Sequence, residues 1–144
     1  MKRSERIRQL KKLVDREAEQ EAIKLAEIQA QLSGEQSKIS QLEAFRDDYF
    51  HRSANTMGQV RPSQLQDLEK FTQQLDYSIS QQLQYITVMS QHLEAQRARW
   101  LSFHNKVKAY EQWIEKLCLE ELALERRQEQ KLLDAFVINQ WHRK

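Results

Sequence analysis

The side chains able to do chemistry are few and scattered. Four histidines, His51, His92, His104 and His142, and one cysteine, Cys118, are the candidates for metal ligands or for a nucleophile and its base. No two of them stand at a metal-ligand spacing. The acidic pairs Asp47–Asp48 and Glu120–Glu121 are the candidates for general acid–base work. Sequence neighbours splay around a helix, so neither pair converges on one substrate atom. Gly34 and Gly58 stand alone, which excludes a glycine-rich phosphate loop. A Ser/His/Asp constellation needs a cleft that excludes water. No catalytic residue, metal site or cofactor is expected. Cys118 lies between Leu117 and Leu119 and reads as a small packing residue or as one at a partner surface. A single cysteine forms no internal disulfide, which favours a reducing compartment.

The elements that would have to position any chemistry explain this poverty. The 144 residues include two glycines and one proline, where an average chain of this length carries about ten and about seven. Too few turn-formers are present for a sandwich, a barrel or a doubly wound α/β domain. Charged residues make up 31% and apolar residues 40%, a balance that suits a narrow buried seam with a large wet surface. An all-α chain of long helices follows, and a pocket enzyme does not. No apolar run is long enough to cross a bilayer, and none of signal-peptide length follows the basic N-terminus.

Helix 1 is predicted over about residues 4–55. One seven-step series reads Ile7, Val14, Ile28, Leu42, Tyr49, with Glu21 and Glu35 as polar gaps; a second reads Ala18, Leu25, Leu32, Ile39. The two interleave at three and four, the seam of a coiled coil. Gly34 falls mid-helix as a weak point or slight bend. Helix 2 is predicted over about 63–140. Its series are Leu65, Thr72, Ile79, Ile86, Leu93, Trp100, Val107, Ile114 and Leu68, Leu75, Gln82, Met89, Gln96, Phe103, Tyr110, Leu117, Leu124. Between them, about residues 56–62, lie Gly58 and Pro62. Gly58 suits a helix end or a positive φ. Pro62 stops continuation of helix 1. Ser63 and Gln66 have capping-box spacing.

A short connection between long helices implies a single antiparallel hairpin, although heptads alone also allow a parallel homodimer. Pairing residues whose numbers sum to 121 brings seam to seam: Ile7 with Ile114, Val14 with Val107, Leu32 with Met89, Leu42 with Ile79. A monomeric rod of roughly 110–120 Å is expected. In this register helix 1 ends near residue 114. Residues 115–144 then overhang without an internal partner, yet they carry Leu117, Leu119, Leu122, Leu124, Leu132, Leu133, Phe136, Val137, Ile138 and Trp141. A partner surface and simple fraying of a terminus both fit such a segment.

Two further features mark surfaces. Residues 1–16 hold seven basic side chains, Arg6, Arg8 and Lys12 among them, against Glu5 and Asp15. Such an end can meet nucleic acid, anionic lipid or an acidic protein, or can simply be solvated. No base-stacking aromatics accompany it, so nucleic acid is not an expected partner. Near the fold-back Phe45, Tyr49, Phe50, Phe71 and Tyr77 cluster, with Leu42 and Leu75 nearby. They either lock the hairpin or dock another protein.

The stretches Phe45-Arg-Asp-Asp-Tyr49, Asn55-Thr-Met-Gly58 and Phe71-Thr-Gln-Gln-Leu75 resemble the bacterial flagellar FliJ family. So do the length, the basic N-terminus and the longer second helix; Pro62 departs from the family's pattern. The resemblance implies a non-enzymatic part of the type III export apparatus, an antiparallel coiled coil like the central stalk of rotary ATPases. It implies a cytoplasmic protein held peripherally at the inner face of the membrane. Its implied partners are the hexameric export ATPase, the membrane export gate and export chaperones. Leu42, Phe45, Tyr49, Phe71 and Leu75 would then face the gate. Arg6, Arg8, Lys12, Leu117, Leu122, Leu124, Leu133, Phe136, Val137 and Trp141 would face the ATPase ring. An export chaperone or adaptor that holds cargo, or an injectisome counterpart, is the alternative.

Overall fold

The computed structural model describes residues 1–56, 58 and 61–143, with Thr56 by its backbone alone. Two helices make up the described chain: α1 spans Arg3–Thr56 and α2 spans Pro62–Arg143. They pack against each other antiparallel, as the short connection implies, and α2 is the longer. Residues in the loop motif at 57, 59 and 60 lie outside the described residues.

The buried and half-buried positions of α1 are 4, 7, 11, 14, 18, 21, 25, 28, 32, 35, 39, 42, 46, 49 and 53, apart from occasional neighbours. These steps of three and four are the predicted series, extended to polar residues at both ends. The polar gaps are seam positions too. Glu21 is buried. Glu35 accepts a hydrogen bond from the amide of Gln82, itself a gap in the α2 series, and an ion pair from Lys38 at 3.3 Å. A gap on one helix thus meets a gap on the other, and no buried side-chain polar atom lacks a partner among the described residues. That matters because an unpaired buried polar group costs about 1–3 kcal/mol.

The chain divides into two compact units. The first joins Met1–Glu21 to Trp100–Lys144, and the second is Ala22–Arg99. The second is built on Leu32, Ile39, Leu75, Ile79 and Met89, with Arg46 and Asp76 paired across it at 3.3 Å. The first is built on Ile7 and Leu117, with Lys11 reaching Glu111 at 3.8 Å. The numbers in each of these cross-helix ion pairs sum to 122, one from the expected register.

The extent of the overhang needs correcting. Leu117, expected on it, is only 5% exposed and belongs to the seam. Pairing continues beyond it: Arg8 Nη2 donates to Cys118 Sγ at 3.2 Å, Ser4 meets Glu121, and Lys2 Nζ meets Glu125 Oε1 at 2.8 Å. The segment without a partner on α1 therefore begins after Glu125 rather than after residue 114. Helix side chains lean toward their own N-terminus. In an antiparallel pair this lean raises the sum of the numbers that meet; the pairs at the start of α1 sum to 125–127, whereas Glu35 and Gln82 in the second unit sum to 117.

The start of α2 also differs from expectation. The backbone N–H groups of Gln64 and Leu65 donate to the Arg61 carbonyl at 3.0 and 3.1 Å, and Gln64 Oε1 accepts from the Arg61 N–H at 3.2 Å. Arg61 is thus the cap and Pro62 the first helical residue. Proline suits that position, because its φ is preset and its missing N–H has no helical acceptor anyway. The Ser63–Gln66 spacing falls inside the helix and is not the cap. Gly58 sits in the turn, and no glycine among the described residues has a positive φ. Gly34 lies within unbroken α1.

Candidate interaction surfaces

In the second unit, Phe45 and Tyr49 stand four residues apart on α1, as do Phe71 and Leu75 on α2, so each pair shares one helix face. The packing of the helices brings three rings together. Tyr49 lies 4.8 Å from Phe71 between ring centroids, Phe45 lies 6.3 Å from Phe71, edge to face, and Phe45 lies 6.4 Å from Tyr49. These separations fall within the range in which aromatic pairs attract beyond their burial. Leu75 is buried and Leu42 half-buried, while Phe45 keeps about half its surface exposed, at 51%. Tyr77 and Phe50 are exposed and stand outside this triad. Phe50 instead lines an apolar groove of about 590 Å³ with Leu65, Leu68 and Thr72. Sequence reasoning did not single out that groove, although Leu65 and Leu68 open the two α2 series.

In the first unit, the basic segment is partly used inside the chain. Lys2, Arg8 and Lys11 engage Glu125, Cys118 and Asp15. Arg3, Arg6, Lys12 and Arg16 are exposed. At the start of α1, one helical N–H that has no intrahelical acceptor is met from the other helix: the Ser4 N–H donates to Glu121 Oε1 at 3.0 Å and the Ser4 hydroxyl to Oε2 at 2.7 Å. The Ser4 hydroxyl, then the Ser4 backbone N–H, hold the Glu121 carboxyl below the usual glutamate range, helped by the charges of Lys2 and Arg8. The Glu125 hydrogen bond and charge raise the Lys2 ammonium. This contact was not anticipated, because Ser4 and Glu121 read as polar surface in a pattern of apolar steps.

Beyond Glu125 every described residue of α2 is exposed. The exposed set includes Leu133, Phe136, Val137 and Trp141, the last at 79%. Leu122 and Leu124 are also exposed, although they lie level with the start of α1. Of the site residues expected at this end, all but Leu117 are solvent-facing. Among the described residues no cluster of histidine, cysteine or acidic side chains is placed to hold a metal ion, and no helix is long and apolar enough to cross a membrane. His104 is half-buried and stacks on Trp100 at 4.9 Å, a packing role rather than a ligand's.

A model of the family described as "Flagellar FliJ protein" matches residues 2–144, essentially the whole chain. The chain belongs to the FliJ family. Membership makes it a component of flagellar type III export. Comparison with curated proteins and with solved structures finds no match. The aromatic triad and the loop-flanking residues that carried the resemblance to FliJ are thus placed by structure in one unit, the exposed α2 segment in the other.

Proposed function

We propose that the chain is a non-enzymatic, stalk-like coiled coil that links the hexameric export ATPase to the membrane export gate. One observation carries the reading: both units expose large apolar side chains that the seam does not use, one near the fold-back and one after Glu125. A chain with two such surfaces, one in each unit, suits a connector. Hydrolysis would belong wholly to the ring. Small apolar patches rimmed by charge make contacts that form and release.

Phe45, Tyr49 and Phe71 would present the face to the gate, together with the less exposed Leu42 and Leu75. Leu122, Leu124, Leu133, Phe136, Val137 and Trp141, with exposed Arg6 and Lys12, would present the face to the ATPase. The chain would sit at the inner face of the membrane through its partners, and export chaperones would meet it there. The test is capture of the purified chain by the export ATPase and by the cytoplasmic part of the gate. Truncation after Glu125 should abolish capture by the ATPase and spare the gate, while Tyr49→Ala with Phe71→Ala should do the reverse at nearly unchanged helicity. Retained ATPase binding by the truncated chain would remove the assignment of the tail.

A further inference from the structure

Most of the apolar residues at the end of α2 lie off the line of the seam. In the first unit the seam of α2 runs through Tyr110, Ile114, Leu117 and Glu121. Extended in the same steps it reaches Leu124, Gln128, Lys131 and Ala135, a mostly polar or small line. A second line, Leu119, Leu122, Arg126, Glu129, Leu133, Phe136, also steps by three and four. At about 100° per residue it lies roughly 150° around the helix from the seam, on the side away from α1. All six residues are exposed, and Leu119 is 62% exposed even though its neighbour but one, Leu117, is buried. No ion pair within the chain takes up Arg126 or Glu129 among the described residues.

We propose that this outer stripe pairs with the same stripe of a second copy of the chain, antiparallel. Residues whose numbers sum to 255 then meet: Leu119 with Phe136, Leu122 with Leu133, and Arg126 with Glu129 of the other copy. A two-fold axis between residues 127 and 128 makes each contact occur twice, as an isologous interface requires. The apolar residues fall opposite apolar residues, and the two charges that interrupt the stripe fall opposite each other with opposite sign. A parallel pair in register would instead set Arg126 against Arg126 and Glu129 against Glu129. The charges therefore choose orientation and register, the part polar residues play in coiled-coil seams. The paired length, 18 residues or about 27 Å, gives a reversible contact. Leu122, Leu133 and Phe136 also belong to the surface proposed for the ATPase, so pairing and ring binding exclude each other. The pairing nonetheless rests on the stripe alone.

The experiment is the mass of the full chain by sedimentation equilibrium across a concentration series. The native chain should pass from 17.3 kDa to twice that mass. Arg126→Glu and Glu129→Arg, each at an exposed helical position and each checked for unchanged helicity, should move that transition to at least about tenfold higher concentration. Mixed one to one, these two variants should associate again, because every charged contact between the unlike chains becomes attractive. A native chain that stays at 17.3 kDa throughout overturns the proposal. So does association that ignores both charge reversals, or a mixture no more associated than its components. Capture by the ATPase is read separately, at a concentration where the chain is a single copy, so the two readings fail independently.

Discussion

The placement of Leu117 in the seam and of Leu133 on open surface makes a paired prediction. Both are leucines on α2, and both sit among the apolar residues of its last thirty positions. Leu117 is 5% exposed and Leu133 60%. Truncating a leucine to alanine removes about three carbon groups, each worth about 0.8 kcal/mol when buried. The seam of a two-helix unit is open along both sides, so solvent and neighbouring side chains close over the gap and little is added for a cavity. Leu117→Ala should therefore cost about 2 kcal/mol, the foot of the about 2–5 kcal/mol range for core truncations. At about 4–8 °C per kcal/mol for a unit of this size, the unfolding midpoint of the first unit falls by about 8–16 °C. Leu133→Ala removes carbons already in water, and alanine's slightly better helix propensity offsets what is lost; the midpoint should stay within about 1 °C. Circular dichroism at 222 nm on dilute protein reads both. An unchanged midpoint for Leu117→Ala, or equal shifts for the two variants, would refute the placement of the seam and return Leu117 to the overhang.

Four other outcomes follow from the local geometry already described. Because Ser4 depresses the Glu121 carboxyl, this contact contributes fully above the ordinary glutamate pKa and is lost as pH falls through the depressed value. An acid titration of helicity should show that loss in the native chain and a flatter acid limb in Glu121→Gln. The raised Lys2 ammonium works in the other direction: its contribution is whole below the ordinary lysine pKa and disappears as pH rises through the raised one, which Lys2→Gln should abolish. Gln64→Ala removes the acceptor for the Arg61 N–H and should lower stability by about 0.5–1 kcal/mol, with faster amide exchange at Arg61, whereas Ser63→Ala should change neither. A Cβ at Gly34 meets nothing within 4 Å, so Gly34→Ala should raise the melting midpoint by a gain of about 0.5–1 kcal/mol.

Much of this protein is legible before any coordinates. The shortage of glycine and proline, the two interleaved seven-step series and the cluster of turn residues near 58–62 determine two helices, their faces and one fold-back. They do so because helix periodicity is a local property, set by which side chains lie on one side of a cylinder. The aromatic triad was legible in part for the same reason: spacings of four put Phe45 with Tyr49 and Phe71 with Leu75. Which of these rings meet, and that Phe50 instead lines a groove with Leu65 and Leu68, depends on the rotation of one helix against the other.

The tertiary structure alone decided where pairing stops. A seven-residue repeat looks alike after a small slide, so it constrains helix-to-helix stagger weakly. Polar contacts at the terminus, Ser4 on Glu121 and Lys2 on Glu125, extend the paired region past Leu117. Those residues carry no periodic signal, because a carboxylate accepting from a helix N-terminus needs only one residue at one place. What the sequence determined is therefore two amphipathic helices folded back once. What the structure decided is how far α1 reaches along α2, and hence which apolar side chains remain in water.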